Sequence, residues 1–147
     1  MGTSDRARLD DVLADLRGRG ARVTTARRAV LGALLDASGH ATAEDLAAAV
    51  QAEHPEIHLS TVYRTLDAFE QLGVVAHVHL GHGRATYHLA EDLHHHAVCD
   101  QCGMVLQLPL SLFRGVAGHL LEEHGFVAEP HHFAVVGRCQ ACAAQLP

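Results

Sequence analysis

The residues with the clearest metal-binding chemistry are four cysteines in two Cys-x-x-Cys pairs, Cys99 with Cys102 and Cys139 with Cys142. Each pair can supply two thiolates from a tight turn, and four thiolates in a tetrahedron satisfy Zn²⁺ without leaving a position for water. Two disulfides or a redox pair are the alternatives. Because these are the only cysteines of a chain with the features of a cytosolic protein, we favour a structural zinc site.

Histidine is unusually abundant, with 14 residues in 147. His77 and His79 lie two apart on a predicted strand, so both side chains project from one face, and His94 and His96 repeat this spacing. An isolated pair of this kind is more often a solvated strand face. The additional histidines favour a second metal-binding function; they are His40, His88, His131 and His132.

Four helices are predicted for the first half of the chain. In the fourth, Val62, Leu66 and Phe69 recur at helical spacing and should pack inward, which leaves Tyr63 and Arg64 beside the buried stripe. Side chains able to cap the helix starts precede each segment; they are Ser4, Thr25, Thr42 (with Asp45 in a capping box) and Ser60.

The hydrophobic period changes to two after Gly73, which predicts a hairpin from residues 74–80 and 84–89. Helices followed by a hairpin are typical of a winged helix-turn-helix. The second half supplies strands near 94–98, 104–108 and 132–136 and a helix over 111–124. We therefore expect an α+β protein; its domains are a winged-helix domain over 1–89 and an α/β domain over 94–147, joined by a hinge at 90–93.

The net charge of −6 argues mildly against nucleic acid, but the arginines are concentrated. Such a cluster can face phosphates, although arginines on solvated helices are common. No apolar run is long enough for a bilayer span, so we expect a soluble, cytoplasmic protein with no membrane partner. Five arginines fall within twelve residues that contain no acid: Arg17, Arg19, Arg22, Arg27 and Arg28.

Catalysis has little support in the sequence. There is no His-Glu-x-x-His motif, and the nearest look-alike, His54 to His58, contains Pro55 and cannot form a regular helix turn. No Ser or Cys nucleophile lies in a recognised frame, so we expect neither an enzyme nor a small-molecule substrate. A metallohydrolase or a metal-storage protein is the remote alternative.

Two motifs resemble the ferric uptake regulator (Fur) family. The run Ser60-Thr61-Val62-Tyr63-Arg64-Thr65-Leu66 is similar to its recognition-helix signature, and His94-His95-His96-Ala97-Val98-Cys99 with Cys102-Gly103 resembles its histidine and zinc signature. The resemblance runs from about Arg17 to Cys142. It implies a winged-helix domain, a C-terminal dimerisation domain and a homodimer that represses transcription by metal-dependent binding to palindromic double-stranded operator DNA.

Carried over to this sequence, the resemblance assigns the four cysteines to structural zinc. It assigns His40, His94 and His96 to a regulatory metal that bridges the domains, with His88 or Asp92 as the fourth ligand. The residues implied in DNA binding are Arg22, Ser60, Thr61, Tyr63 and Arg64.

The departures from the family pattern concern metal identity. A further family site has a His at Leu93, an acid at His95 and a Glu at Arg114, so we expect it to be lost or rebuilt around His131. Other segments resemble the actinobacterial nickel-uptake regulator branch, which predicts Ni²⁺ as the regulatory ion, with Zn²⁺ or Fe²⁺ as alternatives. A peroxide sensor is disfavoured because histidines replace the acidic ligands on which that branch relies. The nickel ligands implied are His77, His79 and His132.

Overall fold

The computed structural model describes residues 3–37, 40–79, 84–91, 94–128 and 134–144. These residues form two compact units. The first comprises the described residues up to Ala76 together with Thr86–Glu91, and the second comprises those within His77–Ala85 and Asp92–Pro147. No helix in the described part of the chain combines the length and the apolar character needed to cross a membrane.

The helices of the first unit surround an apolar core. The predicted stripe on the fourth helix is confirmed, since Val62, Leu66 and Phe69 have no exposed surface. Gly73 ends that helix with a φ of 68°, and the amides of Gly73 and Val74 donate to the carbonyls of Glu70 and Phe69. The helices are α1 (Thr3–Gly18), α2 (Thr25–Asp36), α3 (Ala43–Glu53) and α4 (Leu59–Gln71).

Only one of the predicted helix caps is correct. Thr42 and Asp45 form the expected capping box at α3, with two bonds of 3.2 Å between side chain and backbone. The cap of α2 is Thr24 and not Thr25. Helix α1 already includes Thr3, so Ser4 does not cap it, and α4 already includes Ser60.

The start of α4 has a backbone explanation. The amides of Thr61 and Val62 both donate to the carbonyl of His58, at 2.8 and 3.2 Å. These bonds close the first turn without a side-chain cap, so Ser60 lies inside the helix. Its hydroxyl therefore points away from the role that the sequence pattern predicted.

A three-stranded sheet with the order β1-β3-β2 accompanies the helices. Strands β2 and β3 are the predicted hairpin, somewhat shortened, whereas the two-residue β1 was not predicted. β1 pairs antiparallel with β3, with Ala41 opposite Tyr87 and Thr42 opposite Thr86. The strands are β1 (Ala41–Thr42), β2 (Val75–His79) and β3 (Ala85–Leu89).

The sheet of the second unit has the order β5-β4-β6, with β4 antiparallel to β5 and parallel to β6. A 3-10 turn over Leu110–Phe113 precedes α5, where the sequence predicted one continuous helix. The short α6 was not predicted. The elements are β4 (His95–Cys99), β5 (Val105–Leu108), α5 (Arg114–His124), β6 (Ala134–Gly137) and α6 (Gln140–Ala143).

Candidate metal and DNA-binding sites

The four cysteines converge in the second unit. Their sulfur atoms all lie within 4.8 Å of one another, and the Sγ atoms of Cys102 and Cys139 are 3.8 Å apart. A tetrahedral Zn²⁺ with Zn–S bonds of about 2.3 Å places its sulfur ligands about 3.8 Å from one another. All four cysteines are free thiols, so the two-disulfide alternative does not describe this chain. The donor set and its spacing fit Zn²⁺.

The sheet brings the two Cys-x-x-Cys turns together. Cys99 ends β4 and lies opposite Gly137 of β6, and the Asp100 amide donates to the Gly137 carbonyl at 2.8 Å. The first turn closes through Gly103, whose φ of 74° favours glycine and whose amide donates to the Cys99 carbonyl at 2.9 Å. In the second turn, Cys139 precedes α6 and accepts from the Ala143 amide at 2.8 Å.

The thiols at this site differ in acidity. The backbone N–H groups of Cys139 and Cys102 lower the pKa of the Cys99 thiol to about 6. A hydrogen bond with the Cys139 thiol, together with burial, raises the pKa of Cys142 to about 12. Without a cation the site therefore favours one thiolate and opposes the fourth. A divalent ion would hold all four as thiolates and release their protons.

One histidine pair lies in the first unit. The register of β1 with β3 continues to place His40 opposite His88, and their rings stack with centroids 5.6 Å apart. His88 is 3% exposed, and its Nδ1 is 3.0 Å from the Leu89 carbonyl. A carbonyl can only accept, so Nδ1 carries the proton and the lone pair is on Nε2, as in a metal-ligating imidazole.

Two further histidine pairs lie in the second unit. His94 and His96 have ring centroids 4.5 Å apart, and His96 is 1% exposed. The rings of His77 and His79 meet edge to face at 5.4 Å, while Val78 between them is buried, as strand alternation predicts. Three other residues of the predicted metal sites, Asp92, His131 and His132, lie outside the described residues.

The surroundings of His95 differ from a metal site. Its ring is 4% exposed and meets the Phe113 ring edge to face, with centroids 4.4 Å apart. A cavity of about 300 Å³ adjoins it, lined by Arg114 and apolar side chains that include Leu110 and Val116. An arginine and hydrocarbon groups do not bind a divalent cation, so the lining around His95 offers it little.

The residues implied in DNA binding lie on or near the surface of the first unit. On α4, Ser60, Tyr63 and Arg64 are exposed, and Thr61 is half-buried. Tyr63 is 39% exposed, and its hydroxyl donates to Oε1 of Glu44 at 3.1 Å. Sequence reasoning missed Glu44, because no spacing rule connects residues on two different helices.

The arginine cluster is partly neutralised by α1. Arg19 forms an ion pair of 2.6 Å with Asp15, and Arg28 lies 3.4 Å from Asp10. Arg22 is exposed in the segment before α2, where its carbonyl accepts from Arg27 at 2.7 Å. The run that contains no acid in sequence therefore has acids beside it in space, which weakens it as a phosphate-binding patch.

The fold and the cysteine cluster define a winged-helix protein with a zinc-binding α/β unit. The model of the ferric uptake regulator family matches residues 18–136. The peroxide operon regulator of Bacillus subtilis (strain 168) is 29% identical over 138 residues, which cover 92% of this chain and 93% of that protein.

Two solved structures share the fold. The ferric uptake regulator Fur of Helicobacter pylori superposes with a TM-score of 0.73 at 16% identity, covering 95% of this chain and 93% of that one. A zinc uptake regulator complexed with zinc and DNA has a TM-score of 0.70 at 24% identity, and 97% of each chain is covered.

The chain therefore belongs to the ferric uptake regulator family, whose members are metal-responsive transcriptional regulators and not enzymes. The predictions of an α+β fold of this family and of a non-enzymatic protein are confirmed.

Proposed function

We propose that this protein is a nickel-responsive repressor that binds palindromic operator DNA as a homodimer. The observation that carries the proposal is the pairing of histidines within each unit, His40 with His88 and His94 with His96. Imidazole nitrogens suit Ni²⁺, Zn²⁺ and Cu²⁺ better than the oxygen-preferring cations. The cysteines are already assigned to structural zinc, which leaves the histidines for the regulatory ion.

The proposed mechanism is a clamp. One ion bound by His40 of the first unit and by His94 and His96 of the second would set the relative orientation of the units. We place His88 as the fourth ligand, because it stacks on His40 and its Nε2 bears the lone pair. Moving a two-state equilibrium from mostly open to mostly closed takes about 5.5 kcal/mol of differential binding, which a polydentate metal site can supply.

In a two-fold dimer this orientation would determine the spacing of the two recognition helices. Half-sites of a palindromic operator lie about 34 Å apart or a multiple of it, so a change in orientation changes the affinity. We assign DNA contact to the exposed first turns of α4 and to the segment before α2. The residues are Arg22, Ser60, Thr61, Tyr63 and Arg64.

The second unit supports the dimer through its surface. Apolar side chains that a monomer would leave in water are exposed on β5, β6 and around α5, and burying them against a second copy is favourable. We place such a dimer in the cytoplasm, where operator DNA is accessible. The exposed apolar residues include Leu106, Leu112, Val116, Leu121, Phe126, Val127 and Val136.

We assign nickel specificity to a second histidine site of His77, His79 and His132. The measured proximity of the His77 and His79 rings supports a bidentate start, and His132 is the proposed third ligand. Zinc- and iron-responsive regulation are the alternatives within the family. The likeness to a peroxide operon regulator makes peroxide response a further candidate.

The deciding experiment measures operator affinity as a function of the metal. Protein that retains its cysteine-bound zinc is used to select duplexes from a random library, separately with Ni²⁺, Zn²⁺, Fe²⁺ and Mn²⁺. We expect a palindrome to be enriched with Ni²⁺ and to be bound most tightly with that ion. Equal affinity with and without every metal would overturn the proposed function. Stronger binding with Fe²⁺, abolished by hydrogen peroxide, would establish the peroxide alternative instead.

A further inference from the structure

Glu44 holds a residue that we assign to the DNA interface. It lies in the first turn of α3, and its Oε1 accepts a hydrogen bond of 3.1 Å from the Tyr63 hydroxyl on α4. A carboxylate beside a DNA-facing surface repels phosphate, so it opposes binding electrostatically. Its position is therefore better explained by what it does to Tyr63. An exposed aromatic ring tied at its far end loses less rotamer freedom when DNA binds.

A short stretch of chain joins Glu44 to the histidine pair of the first unit. His40 is followed directly by β1, whose last residue, Thr42, is also the N-cap of α3. The capping box joins Thr42 to Asp45 through bonds in both directions, so the strand and the helix start form one rigid turn. Four residues along the chain thus separate His40 from Glu44, with no flexible loop between them.

The partner strand completes this connection. Ala41 pairs with Tyr87, and the next residue on β3 is His88. An ion bound by His40 and His88 would bridge β1 and β3 at this register. The position of β1 determines where α3 begins, and the first turn of α3 carries Glu44.

We propose that Glu44 is a positioning residue that couples metal binding at His40 and His88 to the orientation of Tyr63 on the recognition helix. This inference rests on the proposed function. It assigns to the first unit a route of its own from metal to DNA, in addition to the clamp between units. The route consists of β1, the capping box of α3 and the hydrogen bond from Tyr63 to Glu44.

The test measures the metal gain, defined as the ratio of operator affinities with and without Ni²⁺. We expect Glu44→Ala and Tyr63→Phe each to lower the metal gain about 5-fold, which corresponds to about 1 kcal/mol for one hydrogen bond. Glu44→Gln keeps an acceptor and should preserve the metal gain within about 2-fold, while it raises affinity for operator and random DNA alike. Glu53→Ala removes an exposed acid from the other end of α3 and is the matched control.

The double variant separates positioning from a merely structural role. If Glu44 acts through the tyrosine hydroxyl, Glu44→Ala adds less than about 2-fold in the Tyr63→Phe background. An equal loss in both backgrounds, or full metal gain in Tyr63→Phe, overturns the link. Tyr63→Phe preserves the ring and tests the idea even if Glu44→Ala fails to fold. A wild-type protein with no metal gain would overturn the proposed function as well, whereas the other two outcomes overturn the link alone.

Discussion

Replacing Cys102 by serine removes one of the four sulfurs that surround the proposed zinc. Structural zinc sites contribute about 10–16 kcal/mol to folding in small domains, whereas a whole domain is commonly stable by only about 5–15 kcal/mol. Losing the ion therefore removes an energy comparable to the entire stability of the unit that holds it.

The second unit has little else to compensate for that loss. Of the hydrophobic residues that are buried in the described part of the chain, this unit contributes Val78, Val98 and Cys99. Helix α5 has no buried residue, and its 11 residues are too few for an independently stable helix. The first unit contains the remaining buried hydrophobic residues, so it should fold without zinc.

We expect Cys102→Ser to lose its zinc and to unfold the second unit while α1–α4 remain helical. Zinc content by mass spectrometry and hydrogen exchange of the β4, β5 and β6 amides measure the two effects. The control is Gln101→Ser, which alters an exposed side chain in the same turn and leaves all four thiols. A Cys102→Ser protein with one zinc per chain and native protection in those strands would refute the assignment.

Three other substitutions test the remaining assignments. Arg64→Ala should weaken operator binding by about 1–3 kcal/mol without changing zinc content or dimerisation, and unaltered affinity in a gel-shift titration would remove Arg64 from the interface. His77→Ala/His79→Ala should lower nickel stoichiometry and nickel-dependent DNA binding while zinc is retained; a full nickel response would exclude this pair as the sensor. Leu66→Ala, at a position with no exposed surface, should cost about 2–5 kcal/mol in urea unfolding, and a loss below about 1 kcal/mol would contradict its place in the core.

Local patterns in the sequence predicted the features that depend on residues close together along the chain. The capping box of Thr42 and Asp45 is correct because its two partners lie three residues apart. The buried stripe of α4 is correct because 3.6-residue periodicity records which face the core covers. The Cys-x-x-Cys turns were recognisable for the same reason.

Where two elements compete for a boundary, the sequence pattern was less reliable. Ser60 is a good N-cap residue, yet the His58 carbonyl begins the helix earlier by accepting from two amides. The predicted helix over 111–124 begins as a 3-10 turn. Such boundaries depend on differences of a few tenths of a kcal/mol that intrinsic preferences do not resolve.

The sequence alone was sufficient for the fold class, the family and the identity of the zinc ligands, because spacing and residue type carry that chemistry. Long-range pairing decided the rest. A two-residue strand such as β1 has no periodicity to recognise, yet its pairing with β3 places His40 beside His88. The bond from Tyr63 to Glu44 likewise joins residues 19 positions apart on separate helices. These contacts form because packing α3 against α4 and β1 against β3 lowers the free energy of the whole unit, which no local segment encodes by itself.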